Sequence, residues 1–109
     1  MDQQAALIMT TVATEADADV VGSALLEQGL AACIQEVPIT SRYRWQGELQ
    51  RSGEILLLVK TTAMAVDGAI RAIRAVHPYD VPEILALPVT EGLPAYLEWL
   101  AAETMRPVA

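Results

Sequence analysis

A chain of 109 residues with fourteen acids against seven bases, one cysteine and 53% apolar residues excludes several classes of protein. Its net charge of −7 leaves too few clustered cations to neutralise a run of phosphates, so nucleic acid is not an expected partner. The lone Cys33 cannot close an intrachain disulfide, which points to a reducing compartment with the cytoplasm as the default, and the opening "MDQQAALIMTTVAT" has neither the basic n-region of a signal peptide nor an apolar run long enough to span a bilayer.

The length suits one domain over residues 1–109. The apolar share, partly alanine, exceeds what a small monomer comfortably hides, which favours a subunit interface. In chain order, "AALIMTTVA" (5–13) reads as a buried strand. Thr14, followed by Glu15 and Asp17, reads as an N-cap with acids in the first helical turn. That helix carries Ala18, Val21 and Leu25 on one face, runs to about Gln28 and ends at Gly29.

"LAACIQEVPIT" (30–40) predicts a strand interrupted near Pro38, at an edge or a bulge. In "SRYRWQGELQ", Tyr43 and Trp45 project to one face and Arg42 and Arg44 to the other, with a turn or bulge at Gly47 and a second turn proposed at 51–53. "EILLLVKTT" (54–62) is apolar on both faces and reads as a central strand. A helix follows from about Thr62 to Val76, with Val66, Ile70 and Ile73 on one face and His77 continuing that stripe. "EILALPVT" (83–90) is the fourth strand, and residues 93–105 form a last helix with Pro94 in its first turn. The order β-α-β-β-α-β predicts an α+β, ferredoxin-like split βαβ sandwich with an additional C-terminal helix. Two helices cover one sheet face; the last helix or neighbouring subunits must cover the other.

Chemistry concentrates in "HPYDVPEI" (77–84), which holds the only histidine. Pro78 disfavours helical backbone at His77, so the imidazole stands at a helix end. It either caps and packs there or ligates a divalent cation together with Asp80 and Glu83. Tyr79 has an apolar body and a polar tip, suited to an interface or a cleft wall. Tyr43 and Trp45 read as interface anchors or a stacking platform. Lys60 either snorkels to water or pairs with a carboxylate such as Glu83. Arg42, Arg44 and Arg51 could hold one small anion. Cys33, between Ala32 and Ile34, reads as a buried inert thiol. No nucleophile–base–orienter set and no phosphate-binding glycine loop is visible, so catalysis is not expected.

The motifs "LAACI" (30–34), "YRWQGEL" (43–49), "LLVKTT" (57–62), "HPYDVPEI" (77–84) and "YLEWL" (96–100) occur in an order that resembles the CutA family, the divalent-ion tolerance proteins. The resemblance spans nearly the whole chain. It implies a compact homotrimer whose extended strands pair between subunits, and an association with tolerance to divalent metals, copper especially. It also implies a likeness to the PII signal-transduction proteins, which bind small ligands between subunits. Some members carry extra thiols and a second histidine beside the one in this motif. Here the matching places hold Thr10 and Val76. A soft copper site needs thiolate or several imidazoles, so the expectation is weak binding of copper or zinc, with no required cofactor. A PII-like anion sensor, using Arg42, Arg44 or Lys60, and a trimeric scaffold for a partner protein are the alternative readings.

Overall fold

The computed structural model describes residues 4–105, and the two ends of the predicted 1–109 domain lie outside these. Strand β1 (Ala5–Val12) leads into helix α1 (Glu15–Glu27), and a long hairpin follows of β2 (Cys33–Trp45) and β3 (Glu48–Thr62). After a 3₁₀ turn at Ala63–Ala65 come α2 (Val66–Val76), β4 (Ile84–Val89) and α3 (Pro94–Glu103). The sheet has four strands in the order β2-β3-β1-β4, with every neighbouring pair antiparallel. β1 and β2 therefore run parallel with β3 inserted between them, which is the split βαβ arrangement.

Local chemistry sets the element ends. Thr14 accepts a hydrogen bond from the Asp17 N–H at 3.1 Å and so caps α1. Gly29, at φ 70°, follows the helix in the left-handed conformation expected of a C′ glycine. The hairpin turns on Gln46 and Gly47, whose φ values of 50° and 79° are the paired positive angles a two-residue turn needs to match strand twist.

The sheet's two faces differ. Ile8, Val12, Leu57 and Val59 pack against Ala18, Val21 and Leu25 of α1 and Ala69 and Ile73 of α2 to form the core. Alternation along the strands puts Leu7, Met9, Val37, Leu56, Leu58, Leu85 and Leu87 on the opposite face. Helix α3 lies against β3 and β1, and Tyr96 sits under the Lys60 ammonium at 5.5 Å, so α3 screens one end of that face. The rest stays open: Val37 is 39%, Leu87 43% and Leu85 55% exposed.

β1 pairs with β3 only as far as Val12↔Ile55, while β2 and β3 stay paired to Trp45↔Glu48. Residues 48–54 of β3 and their β2 partners therefore project as a two-stranded ribbon, which helps give the chain its 47 × 31 × 21 Å extents.

Four expectations change. β2 is not interrupted at Pro38; it is an edge strand, where a residue without an N–H costs no ladder bond on the open side. No turn forms at 51–53, because Ser52 and Gly53 pair across the ladder with Ser41 and Thr40. The second helix begins at Val66, since Thr62 is still paired with Ala5 and makes no side-chain cap bond. Cys33 is partly exposed, because strand alternation puts it on the open face opposite Lys60.

Candidate functional site

The "HPYDVPEI" segment is built from the helix end outward. The His77 N–H donates to the Ile73 carbonyl at 2.8 Å, closing the last turn of α2. The backbone then becomes extended at His77, as Pro78 requires. β4 pairs with β1 only up to Thr10↔Ile84, so the Thr11 carbonyl lies beyond the end of β4. The His77 ring takes up that place: its Nε2–H donates to the Thr11 carbonyl oxygen at 2.8 Å. Its Nδ1 accepts from the Tyr79 N–H at 3.2 Å. Together these bonds require a bare Nδ1 and a hydrogen on Nε2. At 9% exposure, the imidazole ties the α2–β4 connection to β1.

Tyr79 follows edge-on to the His77 ring, with centroids 4.8 Å apart. Its hydroxyl donates to Glu54 Oε2 at 2.8 Å. Partial burial pushes the Tyr79 phenol well above its ordinary pKa, and the hydrogen bond to Glu54 and that carboxylate's charge push the same way. Glu54 stands on the base of the ribbon, so this contact joins the loop to β3.

Between ribbon and loop lies a cleft of about 560 Å³, lined by Thr11, Ser41, Arg42, Tyr43, Trp45, Glu54, Tyr79, Asp80, Val81 and Glu83. Its volume is that of a small-molecule site. Three carboxylates face one guanidinium across it. Tyr43 and Trp45 supply half-exposed rings, at 44% and 49%.

The structure gathers some of the sequence-predicted residues and separates others. Tyr43, Trp45, Tyr79, Asp80 and Glu83 meet at this cleft. His77 does not join Asp80 and Glu83 as a ligand set: no group of three His, Cys, Asp or Glu side chains able to hold a metal occurs among the described residues. Both ring nitrogens already have protein partners, so metal ligation would break one of these bonds. Lys60 is not beside Glu83. It pairs across with Leu7 and lies over Tyr96, whereas Glu83 precedes the strand that starts opposite Thr10. Thr10 faces the helix-covered side, fully buried, with no partner for its hydroxyl among the described residues. Val76 is 37% exposed.

Glu54 was missed in the sequence reading. The signal was there: it shares strand alternation with Leu56, Leu58 and Lys60, so an acid and a base bracket two leucines on that face.

Fold and cleft together define a class: a small split βαβ domain with a cleft between its projecting ribbon and the loop that follows the second helix. The family model described as "CutA1 divalent ion tolerance protein" matches residues 6–103, and the chain belongs to that family. It is 48% identical over 99 residues to the divalent-cation tolerance protein CutA of Thermus thermophilus, covering 90% of this chain and 96% of that protein. The chloroplastic CutA protein of Arabidopsis thaliana is 37% identical over 99 residues, and there this chain spans about half the relative's length, 54%.

Among solved structures, the Thermus thermophilus divalent cation tolerance protein superimposes with a TM-score of 0.88, covering 92% of this chain and 98% of that one. CutA1 from Oryza sativa superimposes at 0.90 with 36% identity, covering 94% and 95%. Among the described residues, no helix is long and apolar enough to cross a membrane.

Proposed function

We propose that the chain acts as a divalent-cation tolerance protein in the cytoplasm, binding rather than catalysing, as a homotrimer that meets divalent cations weakly through carboxylates. The observation that carries the assembly is the open apolar sheet face, continued by a ribbon with free edges. Unpaired edges and contiguous exposed apolar area need a partner, and the trimeric order follows from the family resemblance. Family membership supports the role in ion tolerance.

The cation contact falls to Asp80 and Glu83, both exposed at the cleft. With His77 engaged, the available ligands are hard oxygens. These favour no particular transition metal and suit a weak, unselective site for copper or zinc. Titration calorimetry of the metal-stripped protein tests this reading. Weak saturable uptake of zinc or copper is expected, lost in the Asp80→Asn/Glu83→Gln double variant and kept in His77→Ala. Loss in His77→Ala with the fold intact contradicts it.

One observation favours a second reading. Arg42 and Arg51 are direct cross-strand partners on the ribbon, with Arg44 two residues along, and these arginines line a smaller cleft of about 320 Å³. Like charges set opposite one another repel, and a small anion would relieve them. A nucleotide panel in the same titration, repeated with Arg51→Gln, separates this PII-like reading from the first. Failure of both ligand classes, with a partner protein that co-purifies, leaves the scaffold reading.

A further inference from the structure

The inner part of the larger cleft has a chemistry that neither a metal nor an anion matches. A hard divalent cation needs several oxygens converging at one point, and no such group forms among the described residues. An anion would face Glu54, Asp80 and Glu83 with Arg42 as the one base in the lining. The walls are aromatic: Tyr43, Trp45 and Tyr79. Glu54 gives one oxygen, Oε2, to Tyr79, and its other oxygen has no partner among the described residues. Thr11, 6% exposed, also lines the cleft. A half-engaged carboxylate among aromatic walls suits a ligand with a few hydrogen-bond donors on a single positive charge and an apolar body. Ring faces attract such a charge where they would not coordinate a metal.

We propose that this cleft binds an alkylammonium cation, its charged nitrogen against Glu54 and its carbon chain between Tyr43, Trp45 and Tyr79. The site stands apart from the metal reading, because it needs Glu54 and the rings, whereas the metal reading needs Asp80 and Glu83. Each can fail without the other.

Spermidine is a suitable probe. Calorimetry of the full chain should show saturable uptake that persists when ionic strength is held constant with sodium chloride, the control for loose attraction to a chain of net charge −7. In a Trp99→Phe background, Trp45 is the one remaining tryptophan, and its emission should titrate over the same range. Glu54→Gln keeps an acceptor for Tyr79 but removes the charge, and should weaken uptake at least about tenfold. Tyr43→Leu keeps apolar bulk but removes the ring face, and should weaken it roughly three- to tenfold, the worth of one cation–π contact. Glu98→Gln, which removes an equal charge from an exposed position on α3, should change nothing. The proposal is overturned if spermidine does not saturate, if matched sodium chloride abolishes uptake, or if Glu98→Gln weakens uptake as much as Glu54→Gln. Zinc uptake without spermidine uptake would overturn it while leaving the metal reading in place.

Discussion

The two faces of one sheet carry comparable apolar side chains and meet opposite fates. Ile8, Leu57 and Val59 are wholly buried under α1 and α2. Leu85 and Leu87, on β4 and turned the other way, stay 55% and 43% exposed. The difference lies in the helices: two amphipathic helices close one face, while α3 reaches one end of the other. Hydrophobic strands on both sides of a sheet imply cover on both sides. Under the proposed assembly, copies of the chain supply the cover that the open face lacks.

Charge placed on the open face should have the largest effect. Leu85→Lys with Leu87→Lys should leave the helix-covered core intact but abolish assembly. The melting temperature should then no longer depend on concentration. An unchanged assembly would show that the open face is not the interface.

On the covered face, Leu57→Ala should cost about 3 kcal/mol in urea unfolding, the usual penalty for a cavity at a fully buried leucine. His77→Ala should cost about 2 kcal/mol, since it removes two hydrogen bonds and leaves the Thr11 carbonyl without its imidazole partner. A cost near zero would contradict the tie between loop and strand.

Tyr79→Phe should cost about 1 kcal/mol by deleting the bond to Glu54. Its pH dependence sharpens the test. The folded-state phenol titrates above its unfolded value of about 10, so above that pH the unfolded chain loses a proton that the folded chain keeps. The contribution is therefore intact below about pH 10 and is lost as pH rises further. The wild type should lose stability in that alkaline range more steeply than Tyr79→Phe.

Much of the covered side was legible in the sequence. The Thr14 cap, the α1 stripe and Gly29 are local signals, read within a few residues of where they act. So was the end of α2, since Pro78 dictates it. The partners of the 77–83 loop were not. The His77 ring meets a carbonyl 66 residues away, and Tyr79 meets Glu54 across 25. No local pattern encodes such contacts, and the first fills the place that β4 leaves by stopping short of Thr11. The turn expected at 51–53 failed for a related reason. Arg51, Ser52 and Gly53 have turn-like composition, but the continuous ladder opposite Thr40, Ser41 and Arg42 outweighs it. The weak copper site was read from residues that lie close in sequence, and folding gives the imidazole other partners.

Whether copies of the chain close the open face is tested most directly by the mass in solution. Light scattering at micromolar concentration should give three times the 11.7 kDa of one chain. A mass of 11.7 kDa, with Leu85 and Leu87 left to solvent, would contradict the account.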